Sequence, residues 1–247
     1  MEKVKLKIKR FDGKQEKIDE FETEYNERTT VIEALIHIQS EIDPTLSFRV
    51  QCRAAICGTC GMVINGEYKL GCRTKIKDVA QNGEIMLEPM KNMKVIKDLV
   101  VDHFEFLNKL KNVKAWFVPK EPFEKVYPED LKKFEKETDC ILCGLCYGVC
   151  PAFEADKLFG GPINYVKTYR FWKDKNDALG DERIVLAKED HITSCVHCKS
   201  CSIVCPKEIP VEQDITQIEF YGKQKGIIKQ DTSQFGFGFG FNDFGNF

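Results

Sequence analysis

All twelve cysteines of this 247-residue chain fall into three tight groups. The first is Cys52-x4-Cys57-x2-Cys60-x11-Cys72. The second is Cys140-x2-Cys143-x2-Cys146-x3-Cys150, and the third is Cys195-x2-Cys198-x2-Cys201-x3-Cys205; each is followed by a proline, Pro151 or Pro206. Any fold of this chain must gather twelve soft ligands into three small volumes, which constrains it more than its hydrophobic pattern does. The first spacing is that of plant-type [2Fe–2S] ligands, and the other two repeat the bacterial two-cluster ferredoxin run. In such paired runs the fourth cysteine of each run ligates the cluster of the other. The spacing therefore predicts one cubane on Cys140, Cys143, Cys146 and Cys205, and another on Cys150, Cys195, Cys198 and Cys201. Three clusters in one chain make a conductor for single electrons.

Two blander readings compete. Twelve is an even count, which admits disulfides, but clustered spacing suits metal better. Structural zinc takes four ligands, commonly as two Cys-x2-Cys pairs. Evenly stepped cysteines ending in Cys-Pro, occurring twice, do not follow that pattern. Iron and acid-labile sulfide analysis separates zinc from clusters. Thiolates are the soft anionic ligands that iron–sulfur clusters select, and backbone N–H groups aimed at sulfur tune their potential. The loops that wrap a cluster favour positive φ, which predicts that conformation at Gly58, Gly61 and Gly144.

The bulk numbers exclude several other functions. A net charge of −2 argues against a nucleic-acid or strongly acidic partner. Hydrophobic residues make up 43%, enough for a core, yet no run approaches the roughly 20 apolar residues of a membrane helix. The start, Met1 to Arg10, is basic without an apolar run behind it and so does not resemble a signal peptide. A cytoplasmic chain that reaches a membrane only through partner subunits is expected, since reduced thiols persist there. His197 lies between two cysteines but is superfluous as a ligand where four thiols are available; His37, His103 and His191 carry no special assignment. No Ser/His/Asp constellation and no Gly-rich nucleotide fingerprint occurs, so no site for FAD, NAD or an organic substrate is expected.

The N-terminal part reads as a mixed α/β unit. Val4, Leu6 and Ile8 alternate with Lys5, Lys7 and Lys9, predicting a half-buried strand; a second strand is expected over 15–24. Thr30 and Glu33 form a capping box that opens a helix ended by Asp43-Pro44. A short strand is expected over Ser47–Val50, a hairpin over 62–70 around Asn65-Gly66, and a strand over Glu84–Glu88. Beyond this the pattern is helical. Val95–Leu110 reads as one amphipathic helix, and others are expected over 129–137, 164–175 and 211–221. The fold class is thus α+β. The division is placed at 1–98 and 99–232, with a Phe/Gly-rich tail over 233–247. Strict alternation of phenylalanine and glycine would put the rings on one face of an extended strand, and a tail seated in a groove of a partner subunit is the expectation.

Three further stretches carry a resemblance. They are Cys52-Arg53-Ala54-Ala55-Ile56-Cys57-Gly58-Thr59-Cys60 running on to Leu70-Gly71-Cys72, then Val95–Asp102, then Gly161-Pro162 with Tyr169-Arg170-Phe171. With Asp139–Cys146 they resemble the iron–sulfur subunit of succinate dehydrogenase and fumarate reductase, in the same order over about residues 1–220. The resemblance implies a β-grasp [2Fe–2S] ferredoxin-like domain followed by an all-α two-cluster ferredoxin-like domain. It implies an FAD-containing flavoprotein subunit docked near the [2Fe–2S] end, which interconverts succinate and fumarate. A quinone-linked or membrane-anchor subunit would sit near the last cluster. The same module serving a glycolate- or lactate-oxidising flavoprotein is the alternative.

Two departures from the family pattern matter. Familiar members carry [3Fe–4S] as the third centre, with a non-cysteine residue at the place of Cys198. A fourth thiolate here predicts [4Fe–4S], with [3Fe–4S] as the fallback. The family's two tryptophans after the second run and its histidine after the first cysteine of the third are replaced by Glu154, Ala155 and Val196. That resembles the less conventional branch, whose remaining subunit is cysteine-rich and like a heterodisulfide reductase subunit.

Overall fold

The computed structural model describes residues 2–229; the Phe/Gly-rich tail, and with it the expected partner-groove strand, lies outside them. The chain opens with a long hairpin, Glu2–Phe11 (β1) and Glu16–Tyr25 (β2). Val4, Leu6 and Ile8 are buried on one face of β1. Lys5, Lys7 and Lys9 line the other face and pair with Glu20, Glu84 and Glu16. Thr30 caps Val31–His37 (α1), and its hydroxyl and the Glu33 carboxylate close the capping box. A wider helical turn over Ile38–Ile42 carries α1 to the stop before Pro44.

Gly61–Ile64 (β3) and Glu67–Leu70 (β4) form the hairpin expected from Asn65-Gly66, whose φ values of 50° and 82° are what a tight two-residue turn requires. A single turn, Ile76–Val79 (α2), leads to Glu84–Glu88 (β5). The sheet order is β2-β1-β5-β3-β4, and β5 runs parallel to β1 while every other pair is antiparallel. Val31, Ile32, Ala34 and Leu35 of α1 are buried and share one core with the apolar face of β1. This is the β-grasp arrangement.

Three expectations fail here. No strand forms over Ser47–Val50: the Ser47 N–H is taken by the Asp98 carboxylate at 2.8 Å rather than by a sheet neighbour. Val95–Leu110 is not one helix. It forms a small hairpin, Val95–Lys97 (β6) with Val100–Val101 (β7), and then the short helix Phe104–Lys109 (α3). Asp98 at its turn has φ 47° and is 2% exposed. It accepts from Phe11 N–H and Ser47 N–H and pairs with buried Arg10 at 3.0 Å. A carboxylate held by that many partners outweighs a helical apolar pattern. Residues 129–137 split into Pro128–Leu131 (α4) and Glu135–Thr138 (α5), because Phe134 leaves helical geometry at φ −148° and turns into the core.

The remainder is helical. Leu145–Gly148 (α6) and Ala152–Ala155 (α7) flank the end of the second cysteine run. Pro162–Lys173 (α8), Glu182–Glu189 (α9), Ser200–Ile203 (α10) and Val211–Gln224 (α11) follow. Helices α8 and α11 pack along one another. Among the described residues no helix is long and apolar enough to cross a membrane.

Candidate metal centres

The first cysteine loop, between α1 and β3, folds around sulfur. Ala54, Ile56 and Cys57 each point a backbone N–H at the Cys52 Sγ, at 3.3–3.4 Å, and Ala55 N–H points at Cys72 Sγ at 3.3 Å. Arg53 and Ala55 accept left-handed φ values of 54° and 53° to aim them. The bonds from Ala54, Cys57 and Ile56 bring the exposed Cys52 thiol down to about 6. Cys60 goes the other way: burial, and then the neighbouring thiols of Cys72 and Cys57, raise it to about 12. Cys57 thus neighbours both Cys52 and Cys60, and Cys72 neighbours Cys60.

Both later runs share one backbone form. Their third and fifth positions, counted from the first cysteine, are left-handed: Leu142 and Gly144 at 53° and 77°, His197 and Lys199 at 50° and 64°. A one-turn helix then follows, α6 or α10. Of the three glycines expected at positive φ, Gly58 (72°) and Gly144 adopt it. Gly61 does not. It is small because Leu145 and the Cys143 carbonyl press within 3.4 Å of where its Cβ would be.

The fourth cysteine of each run crosses to the other run. An apolar cavity is lined by Cys140, Cys143, Cys146 and Cys205, with Ile163, Val166, Ile209 and Val211 closing it. Burial, then the thiols of Cys140 and Cys205, push Cys143 up to about 12. Cys146 is raised well above the usual thiol range by burial and then by Cys143, Cys140, Cys201 and Cys205. On the other side, burial followed by Cys195 and Cys198 raises Cys150 to about 11, and burial followed by Cys195, Cys150 and Cys198 raises Cys201 to about 12. Thiols that resist ionisation alone need a cation to neutralise them, the charge that iron would supply. Among the described residues no three side chains close on a single-ion point. Structural zinc would draw its sulfurs in to about 2.3 Å, whereas Cys140, Cys143, Cys146 and Cys205 ring a cavity. Donor type, N–H aim and cavity lining all fit clusters.

The first and second sets touch. A Cβ on Gly58 would lie 2.9 Å from the Cα and Cβ of Cys143 and from the Ile141 carbonyl. Only a glycine lets the first loop lie against the second run that closely. Asn92 fixes the join from the side, its amide donating to the carbonyls of Tyr147, Gly148 and Cys150 at 2.9–3.1 Å. Its role was not visible in the sequence, because the three acceptors lie 55 to 58 residues away. An open cleft of about 760 Å³ separates β4 from α10, bridged by Arg73 Nη1 donating to the Pro206 carbonyl at 2.6 Å.

Histidines stand beside these groups. His197 Nδ1 is 3.1 Å from Glu212 and its Nε2 is 3.4 Å from Glu219. His191 Nδ1 lies 2.7 Å from Asp156, which also accepts from Ser194 Oγ at 2.6 Å. Asp156 thereby ties the chain leaving Cys150 to the chain reaching Cys195. His103 is packed edge-on against Phe106 at 5.4 Å. Ile56, Val196 and Ile203 project apolar side chains into solvent, 65%, 56% and 80% exposed, at the two ends of the thiol series.

Comparison with known proteins agrees with this layout. A family model described as a 2Fe-2S iron-sulfur cluster binding domain matches residues 5–108, and one described as a 4Fe-4S dicluster domain matches residues 137–209. The fumarate reductase iron-sulfur subunit of Mycobacterium tuberculosis is 37% identical over 219 residues, 85% of this chain and 88% of that protein. The 8-methylmenaquinol:fumarate reductase iron-sulfur subunit of Wolinella succinogenes is 32% identical over 241 residues, 91% of this chain and 74% of that protein. A chain of the Mycobacterium smegmatis Sdh1 complex in the apo form superposes with a TM-score of 0.85 over 92% of this chain and 98% of that one. At 22% identity this likeness speaks for the fold.

Proposed function

The chain belongs to the family of fumarate reductase and succinate dehydrogenase iron–sulfur subunits, and from that premise we propose how its parts carry current. It is a non-catalytic electron-transfer subunit of a succinate/fumarate oxidoreductase. Its clusters supply one-electron centres when bound. Cys52, Cys57, Cys60 and Cys72 hold [2Fe–2S]; Cys140, Cys143, Cys146 and Cys205 hold the first [4Fe–4S]; Cys150, Cys195, Cys198 and Cys201 hold the second. The fourth thiol at Cys198 supports four irons at that last site. The observation that carries the reading is the contact of Gly58 with Cys143, which leaves no intervening layer of side chains between the first and second ligand loops.

The residues around the sulfurs have three tasks. Backbone N–H groups stabilise thiolate charge in the first loop, where Cys52 is exposed. Apolar side chains around the middle cavity keep water out. Tight loop contact holds the ligand sets at fixed separation. An FAD-bearing subunit docks at the exposed Cys52–Ile56 end. A membrane-anchor or heterodisulfide-reductase-like cysteine-rich subunit docks at the Val196–Ile203 end, where Glu154, Ala155 and Val196 stand in the family's aromatic and histidine positions.

The test is reductive titration of the purified complex, followed by EPR. Succinate is expected to reduce the high-potential centres within one turnover, and dithionite the rest, with three clusters accounting for the spins. Reduction by glycolate or lactate with no response to succinate or fumarate would assign the module to another flavoprotein.

A further inference from the structure

We infer that Cys198 is the releasing ligand of the third centre, the point at which one iron leaves and re-enters. The inference rests on the four-thiolate reading of that centre. Its four cysteines are held unequally. Cys150 and Cys201 are buried, at 8% and 6% exposure, and Cys195 is half-buried, whereas Cys198 is exposed. Burial is what sets the other three apart. Cys198 has a side-chain contact, its thiol lying 3.4 Å from the rotatable hydroxyl of Ser200.

Exposure alone does not loosen a ligand. Cys52 is also exposed, but three N–H groups fix its sulfur. In the free chain, Cys198 combines open water with the absence of such an anchor among the described residues. Once its bond to iron breaks, nothing but Ser200 keeps the sulfur at bonding distance, and solvent protons are available to it. The buried sulfurs of Cys150 and Cys201 stay in place after the same event. Their neighbours are protein rather than water.

The step balances with a one-electron oxidant. Ferricyanide takes one electron and becomes ferrocyanide, and [4Fe–4S]2+ becomes [4Fe–4S]3+. The Fe–Sγ bond to Cys198 breaks, Fe2+ leaves to water, and the Cys198 sulfur takes a proton from solvent. A [3Fe–4S]+ cluster remains on Cys150, Cys195 and Cys201. One electron and one Fe2+ reverse the change. The third centre would thus respond to oxidant and ferrous iron at a single residue.

Iron-loaded full chain, prepared anaerobically, tests this by ferricyanide titration with a ferrous chelator, EPR and iodoacetamide labelling mapped by peptide mass. One Fe2+ released per chain, one [3Fe–4S] spin per chain and alkylation rising at Cys198 at least tenfold above Cys150, Cys195 and Cys201 are expected. Cys198→Ala should carry the [3Fe–4S] signal from the start and release no iron; the labelling of unaltered protein decides the matter if that variant does not fold. Iron release with Cys198 unlabelled, equal labelling of the four thiols, or no iron release from a four-iron centre overturns the inference alone. A full [3Fe–4S] signal and a reactive Cys198 in the anaerobic starting material overturn the four-thiolate reading, and the inference with it.

Discussion

The second and third cysteine runs share a motif, a pair of left-handed residues and a following helical turn, and differ in almost everything around them. In the second run Cys143 lies against Gly58, a Cβ on Gly144 would sit 2.7 Å from Met93 and 3.5 Å from Phe106, and Leu145 and Tyr147 are buried. In the third, Val196 and Cys198 face solvent, Lys199 takes the place of Gly144 with a similar φ, and Ile203 is 80% exposed. A repeated motif specifies how backbone wraps a cluster. What surrounds the wrap specifies whether that cluster passes electrons within the chain or presents them at its surface.

Substitutions in the crowded run should therefore cost more than matching ones in the open run. Gly58→Ala carries the largest effect. Its Cβ meets backbone, which cannot swing aside, and φ 72° adds a left-handed penalty. Together these cost about 3 kcal/mol, with electron passage from the first to the second centre slowed at least tenfold; thermal unfolding and rapid-freeze EPR measure the two. Gly144→Ala should lose about 2 kcal/mol, less because Met93 Cε is the mobile end of a flexible side chain. If it matches Gly58→Ala, the distinction between backbone and side-chain crowding is wrong.

A separate effect, read as a slope against pH, lies where the two runs are joined. Glu137 precedes the second run on α5 and Asp214 follows the third on α11, and burial, then Glu137, raises Asp214 to about 9. A folded value above the unfolded carboxyl value near 3.9 means that the folded chain binds the extra proton between them. The stability this group contributes is complete below about pH 4 and is lost as pH rises toward 9, by at most about 1.4 kcal/mol per pH unit. Asp214→Asn should flatten that slope in urea melts from pH 5 to 8; an unchanged slope would remove the pair as its source. Smallest of all, Lys199→Gly should change stability by less than about 0.5 kcal/mol, since relief at φ 64° is offset by a freer unfolded chain. A loss of 2 kcal/mol in a chevron or melt would show the third run to be as tightly packed as the second.

The contrast also marks where sequence reading stops. Spacing singled out the three cysteine groups, and the structure places Cys205 beside Cys140, Cys143 and Cys146; short-range chemistry identified the Asn65-Gly66 hairpin and the Thr30–Glu33 cap. These are local instructions. The helix expected over Val95–Leu110 gave way to Arg10 and the N–H groups of Phe11 and Ser47, which meet at Asp98 from distant parts of the chain. Left-handed Leu142, His197 and Lys199 were unreadable because the cluster loop imposes φ on whichever residue stands there. The Gly58–Cys143 contact, 85 positions apart in the chain, leaves no trace beyond one glycine among seventeen.

The crossed arrangement has a consequence for birth of the protein. Cys205 lines the cavity formed by Cys140, Cys143 and Cys146, so that pocket is missing a wall until the chain has been made past residue 205. At the usual pace of synthesis several seconds separate the emergence of the second run from that of its last member. During that interval three thiols wait without their fourth, exposed to whatever metal is free. Closure of that pocket therefore waits for Cys205, and a chain truncated between the two runs would leave neither four-cysteine set complete.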